Sequence, residues 1–133
     1  MKKISVVILN WNGVGMLQKF LPKVLEYSQV EGVEVCVADN GSTDESVAWV
    51  QTSCPDVRLI VLDKNYGFAD GYNQALRQVE AEYAVLLNSD VEVTPNWLEP
   101  LMTYMETHPE VAACQPKVRA EQNKAYFEYA GAA

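Results

Sequence analysis

Val33-Glu34-Val35-Cys36-Val37-Ala38-Asp39-Asn40-Gly41-Ser42-Thr43-Asp44-Glu45 passes from a mostly apolar, Val-rich run to a helix-start pattern across a single turn. Val, Ile and Leu without regular polar alternation are what a strand covered on both faces requires. Asn40-Gly41 supplies a sharp turn. Ser42 and Glu45 stand at capping-box spacing, where each side chain can satisfy the other's free amide, so a helix is expected to begin there and stop before Pro55. Three further apolar runs have the same character: Ile4 to Leu9, Val57 to Leu62 and Tyr83 to Leu87.

Helical periodicity fills the intervals. Leu17, Phe20, Leu21, Val24 and Leu25 share a face, with Pro22 expected to kink or shorten that helix. Tyr72, Ala75, Leu76 and Val79 mark a helix from about Phe68. Thr94-Pro95 reads as an N-cap followed by proline at the first helical position, ahead of the apolar stripe Leu98, Leu101, Met102 and Met105. Strands alternating with helices predict right-handed βαβ units on a parallel sheet, a three-layer α/β domain. Such sheets bind ligands beyond the carboxyl ends of their strands. Those ends are Asn10-Trp11-Asn12, Asp39-Asn40, Asp63 to Gly67 and Asn88-Ser89-Asp90, and every one is polar.

Bulk properties narrow the ligand. The chain has 133 residues, 49% of them hydrophobic and 21% charged, which suits one globular domain rather than a disordered segment. Its net charge of -8 argues against nucleic acid, whose phosphates need clustered Lys and Arg. A phosphorylated ligand would therefore have to be met by helix N-termini or a bound cation. No apolar run is long enough for a transmembrane segment. Lys2-Lys3 ahead of Ile4 mimics a leader, but Asn10 and Asn12 break the apolar run, so the reading is a first strand and a cytoplasmic protein. Cys36, Cys54 and Cys114 are widely spaced and form no CxxC pair, which disfavours a disulfide framework or zinc site; Cys36 reads as a core residue.

Four stretches could carry chemistry. In Val85-Leu86-Leu87-Asn88-Ser89-Asp90-Val91-Glu92, an amide and a carboxylate two residues apart can face one pocket. Asp90 is a hard oxygen ligand able to hold Mg²⁺ or Mn²⁺ against a diphosphate, or else the cap of a turn. Asp39 could accept a hydrogen bond from a base or ribose, or close an Asx-turn; Asp44 reads as a favourable charge in a helix's first turn. Trp11, among polar neighbours, could stack on a planar base. In Asn65-Tyr66-Gly67-Phe68-Ala69-Asp70-Gly71-Tyr72-Asn73 the glycines let backbone amides approach a ligand, while Phe68 and Tyr72 read as helix-packing residues and Asn73 as a brace. Gly13-Val14-Gly15 opens a dinucleotide fingerprint, but Gln18 stands where its third glycine belongs. His108, the only histidine, reads as a surface residue at a helix end.

Together, N-W-N after the first strand, V-A-D-N-G-S-T-D, N-x-G-F-x-x-G-x-N and L-L-N-S-D-V-E-V resemble family 2 glycosyltransferases over Ile4 to about Lys117. The resemblance implies a GT-A fold with strand order 3-2-1-4, residues 1–133 forming the N-terminal, nucleotide-binding part of the catalytic domain. It implies transfer of a sugar from a nucleotide-diphosphate donor to a glycan or lipid-linked acceptor with inversion, in cell-envelope polysaccharide synthesis, at the inner face of the membrane in a full-length enzyme. By motif, Trp11 stacks on the base with Asn12 beside it, Asp39 binds the base edge, and Asn65 and Gly67 line the pocket. Asn88 and Asp90 fall on the family's D-x-D, so the Mg²⁺ or Mn²⁺ rests on Asp90, because Asn88 brings no charge. The family's general base lies later, and neither Glu121 nor Glu128 matches it, so this stretch is expected to bind donor without transferring sugar. Its fourth strand should present an open sheet edge, partly covered by Val111 to Val118, with Tyr126, Phe127 and Tyr129 adding apolar surface that favours self-association. Two other classes stay open: a stand-alone nucleotide-binding module, and a receiver domain with Asp39 as phosphoacceptor and Lys117 as its lysine.

Overall fold

The computed structural model describes residues 1–114, together with the short strands Val118–Arg119 and Phe127–Tyr129. In chain order the elements are β1 (Lys2–Asn10), α1 (Val14–Glu26), β2 (Val33–Asp39), α2 (Ser46–Ser53), β3 (Arg58–Val61), α3 (Phe68–Leu76), β4 (Ala81–Asn88), α4 (Leu98–Thr107), β5 (Val118–Arg119) and β6 (Phe127–Tyr129). They divide into two compact units, Met1–Val93 and Thr94–Ala133.

The first unit is a parallel sheet of order β3-β2-β1-β4, the order the resemblance implies. Two consecutive crossovers step outward from β1 to β2 to β3, and right-handedness sets α1 and α2 on one face. The third returns from β3 past β2 and β1 to β4, which sets α3 on the other. Packing agrees: Tyr72 and Ala75 of α3 form one core with Val7, Cys36, Ala38 and Ile60, which share a face of the sheet. On the opposite face Ile4, Val6, Ile8, Val35 and Val37 are buried, as are Leu17, Phe20, Leu21, Val24 and Val50 of α1 and α2. Helix α1 runs through Pro22 to Glu26, so the proline does not cut it short.

Burial on both faces holds for β1 and β2 but not for the edges. Strand β4 was expected to be apolar and covered on both sides; instead Glu82, Ala84, Leu86 and Asn88 form an exposed row, with Leu86 54% exposed. Those residues share a face with Ser5, Val7 and Leu9, and α3 covers that face over β1, β2 and β3 only. Strand β3 likewise exposes Arg58 and Val61.

Two helix starts differ from the sequence reading. Helix α2 begins at Ser46, and no Ser42–Glu45 box forms. The Ser42 hydroxyl accepts from the Asn12 amide at 2.8 Å, and the Ser42 amide donates to Asp39, so both groups are already engaged. Asp44 supplies the acceptor instead, taking the Ser46 amide at 2.9 Å and the Ser46 hydroxyl at 2.5 Å. In the second unit α4 begins at Leu98, not at Thr94-Pro95. Asn96 has φ 62°, a left-handed conformation that asparagine tolerates and that no helical first turn contains. The α4 stripe survives, with Leu98 buried and Leu101, Met102 and Met105 half-buried. Strands β5 and β6 pair with each other, antiparallel. Residues 111–114 form no strand; Lys117, Glu121 and Tyr126, and the side chains of Val118, Phe127, Glu128 and Tyr129, lie outside the described residues.

Candidate functional site

The carboxyl ends of β1 and β2 are joined by side chains rather than by the sheet alone. Asn10, 1% exposed, donates from Nδ2 to Asp39 Oδ1 at 3.1 Å and to the Ser42 hydroxyl at 3.4 Å. Asp39, 2% exposed, takes the Ser42 amide on its other oxygen at 2.9 Å. A buried carboxyl left without donors would carry an uncompensated desolvation cost. Asp39 thus closes the turn, and each of its oxygens already holds one bond. Asn12, with φ 50°, accepts the Thr43 and Asp44 amides on Oδ1 at 2.7 and 3.2 Å. It braces the β2–α2 loop.

Asp44 does more than sit in a helix's first turn. One oxygen takes Ser46, and the other takes the Val14 amide at 3.1 Å, the first amide of α1. Partial burial pushes its carboxyl up, but hydrogen bonds from Ser46 and Val14 outweigh this and hold it below the ordinary value of 3.8. A carboxylate thus occupies the N-terminus of α1, where a dinucleotide pyrophosphate would have to sit, and this removes the dinucleotide reading of Gly13-Val14-Gly15. A Cβ on Gly13 would lie 2.7 Å from Asn10 Oδ1, so that glycine serves packing.

A second network holds the β3–α3 loop. Asn40, 3% exposed, accepts the Tyr66 amide on Oδ1 at 2.9 Å and donates from Nδ2 to the Gly67 carbonyl at 3.0 Å and to Asn65 Oδ1 at 3.2 Å. Asn65 Oδ1 also accepts the Gly67 amide at 2.7 Å. Gly67, at φ 82° and ψ −174°, adopts backbone that only glycine takes easily, and it precedes α3. Sequence reasoning treated Asn40 as half of a turn; its role as a clamp depends on a loop 25 residues later and left no local signal.

Between these networks lies an open cavity of about 240 Å³, lined by Leu9, Trp11, Asn40, Asn65, Gly67 and Phe68. Trp11 is 56% exposed at its rim, as a base-stacking residue requires. Phe68 corrects an expectation: it is 67% exposed rather than packed in the helix interface, with its ring edge-on to Tyr72 at 5.2 Å. Tyr72 is the packing residue, 4% exposed, its hydroxyl donating to the Leu87 carbonyl at 3.0 Å. Burial pushes the Tyr72 hydroxyl up, a bond with the Leu9 backbone works against this, and the nearby Asp90 charge adds to it. Asp90 follows the end of β4 by two residues, next to the β1–β4 seam where Asn88 pairs with Leu9. Asn88 and Asp90 are both exposed. No cluster of three or more His, Cys, Asp or Glu able to hold a metal exists among the described residues. A larger depression of about 580 Å³, reached by Lys2, Glu34, Arg58 and Arg77, lies at the strands' amino ends. That is the end of a parallel sheet away from its ligand sites.

The sequence profile described as Glycosyl transferase family 2 matches residues 5–131. The chain belongs to that family. Among the relatives of this family 2 chain is N-acetylglucosaminyl-diphospho-decaprenol L-rhamnosyltransferase of Mycobacterium tuberculosis, 25% identical over 92% of this chain and 43% of that protein. S. aureus TarS 1-349, solved with UDP-GlcNAc, superposes with a TM-score of 0.68 at 26% identity, over 80% of this chain and 32% of that one. PcManGT, a mannosyltransferase from Pyrobaculum calidifontis solved with GDP-Man and Mn²⁺, shares the fold with a TM-score of 0.69 at 22% identity, over 88% of this chain and 34% of that one. The chain spans 23% to 43% of the length of the first curated relatives it matches. Among the described residues of this family 2 chain, no helix is long and apolar enough to cross a membrane.

Proposed function

We propose that this family 2 chain binds a nucleoside-diphosphate sugar at the carboxyl ends of β1, β2 and β4, for transfer of the sugar to a glycan or lipid-linked acceptor with inversion. The observation that carries this reading is the cavity: an exposed tryptophan and two loops clamped by asparagine, with Leu9, the sheet partner of Asn88 in β4, in its lining. The base lies against Trp11, Asn65 and Gly67 line its pocket, and Asp39 and Asn12 shape the wall. The diphosphate runs toward Asn88 and Asp90. Helix N-termini do not serve it at α1, where Asp44 already sits.

Asp90 fits Mg²⁺ or Mn²⁺ as a single hard oxygen ligand whose remaining partners are diphosphate oxygens and water, a common arrangement for Mg²⁺. When bound, the cation would neutralise charge on the leaving diphosphate. Asn88 contributes a neutral hydrogen-bonding amide. Inversion needs a carboxylate to take the acceptor's proton. Asp39 is buried and bonded, and Asp90 is committed to the cation, so no described carboxylate at the site is assigned that task. Action in the cytoplasm, at the inner membrane face for a lipid-linked acceptor, belongs to the same proposal, as does self-association through the open side of β4. A receiver-domain role for Asp39 is disfavoured, because a phosphoacceptor must be reachable by phosphate.

Calorimetry with UDP and UDP-sugars, with and without Mn²⁺, tests the reading. Binding that Mn²⁺ strengthens, with that gain lost in Asp90→Asn and enlarged in Asn88→Asp, is the expected result. An unaltered Mn²⁺ gain in Asp90→Asn would remove Asp90 from the site. Nucleotide binding that ignores Mn²⁺ and sugar alike would favour a stand-alone nucleotide-binding module. Sugar transfer at an ordinary rate would place the base among these residues.

A further inference from the structure

Two asparagines of the chain are followed by glycine, in Asn12-Gly13 and Asn40-Gly41. Glycine has no Cβ, so its backbone nitrogen is the least hindered in attacking the side chain before it. Loss of the glycine amide proton to solvent base frees a nitrogen pair that attacks asparagine Cγ. The Cγ–Nδ2 bond then breaks, Nδ2 leaves as ammonia with a proton from solvent, and a succinimide ring closes. Water adds to either imide carbonyl and opens the ring to aspartate or isoaspartate. The reaction needs a side chain free to turn onto its own backbone and water at the reacting atoms.

The fold treats the two dipeptides differently. Asn40 is 3% exposed, and both ends of its amide are held: Oδ1 by the Tyr66 N–H, and Nδ2 by the Gly67 carbonyl and Asn65 Oδ1. A Cβ on Gly41 would lie 2.6 Å from the Lys64 carbonyl carbon, so loop backbone is packed against the attacking residue. Asn12 is exposed. Among the described residues its Nδ2, the leaving group, has no hydrogen bond. Its Oδ1 accepts two backbone amides, Thr43 at 2.7 Å and Asp44 at 3.2 Å. Paired backbone donors on a carbonyl oxygen stabilise the negative charge that grows there when its carbon is attacked.

We infer that Asn12 is a site of spontaneous deamidation in the folded chain, with solvent water as the co-reactant, whereas Asn40 converts only when the β3–α3 loop opens. The products differ in consequence. Aspartate at position 12 keeps an oxygen for the Thr43 and Asp44 amides and adds one negative charge, so the brace survives. Isoaspartate there inserts an extra main-chain atom between β1 and α1. Aspartate at position 40 would turn an oxygen toward the Gly67 carbonyl and Asn65 Oδ1, acceptor against acceptor, and undo the clamp. The dipeptide open to solvent is thus the one whose aspartate product the fold accepts.

Peptide mapping of the whole chain by mass spectrometry, after incubation in mildly alkaline buffer with and without urea, tests this. Each site is compared with its own rate in urea, where neither is protected. In the folded chain Asn40 should slow by roughly tenfold or more, as a segment that reacts only on local opening does, and Asn12 by much less. Asn65→Ala removes one acceptor from Asn40 Nδ2 and a brace from Gly67, so it should speed conversion at Asn40 and leave Asn12 unchanged. Equal slowing at the two sites, greater slowing at Asn12, or no conversion at Asn12 in the folded chain would each overturn the inference. An Asn40 rate unmoved by Asn65→Ala would overturn the clamp's part in it. Acceleration at both sites in that variant would report general unfolding, and the comparison within the unaltered chain then decides.

Discussion

The two ends of the site are built in opposite ways. At β1 and β2, Asn10, Asp39 and Asn40 are each at most 3% exposed and bonded to backbone or to one another. At β4, Asn88 and Asp90 stand exposed on a strand whose outer row is also exposed. The first end is a scaffold whose polar groups were desolvated on folding and are matched except at Asn10 Oδ1, which is buried without a partner among the described residues. The second retains its solvation, so its carboxylate is available to a ligand. Shape is set at one end, and charge is held ready at the other. Substitutions should divide along that line, with stability lost at β1–β2 and ligand response lost at β4.

The largest effect should come from Gly41→Ala. Its Cβ would lie 2.6 Å from the Lys64 carbonyl carbon and 2.7 Å from the Asn65 nitrogen, both backbone, at φ 78°. Strain and overlap together should cost about 3 kcal/mol or more, read from the urea midpoint. Gly67→Ala, at φ 82° with open space around its Cβ, isolates the conformational part and should cost about 1–2 kcal/mol. Equal losses from the two would show that contact with the β3–α3 loop contributes nothing.

Next, Asn40→Ala should cost about 2 kcal/mol by leaving the Tyr66 amide and Gly67 carbonyl without their partner. Hydrogen exchange at Tyr66 and Gly67 should accelerate while β1 stays protected. Acceleration throughout the sheet would mean that Asn40 supports the fold rather than the loop.

A smaller, pH-dependent effect belongs to Asp44. Its carboxyl is held below the ordinary 3.8, so its contribution is complete above that value and fades as pH falls through the lower, folded one. Asp44→Asn should therefore lose about 1 kcal/mol at neutral pH and converge with the unaltered chain only as pH falls through the depressed folded value, below 3.8. A gap that widens in acid would reverse the assigned sign. Smallest of all, Asp90→Asn should leave the urea midpoint within about 0.5 kcal/mol, as an exposed side chain should. A larger loss would make Asp90 part of the scaffold and erase the contrast between the two ends.

Periodicity and punctuation were enough to read the four parallel strands, the first three helices between them and the face each helix buries, because these follow from local spacing of apolar residues. The motifs pointed to the strands' carboxyl ends for the same reason: a parallel sheet puts the loops that follow its strands at one end. Helix starts at Ser42 and Thr94 were misread because capping depends on which partner reaches a group first. Asn12 and Asp39 reached Ser42, and left-handed Asn96 moved the start of α4.

What the sequence by itself determined was thus the α/β alternation, the family and the polar strand ends. Tertiary structure alone decided that Asn40 clamps a loop 25 residues away, that Asp44 occupies the start of α1, that Phe68 faces the cavity and that β4 leaves one row uncovered. Each of these depends on a neighbour distant in the chain. Spacing along a sequence records which face a side chain takes, but not what stands opposite it.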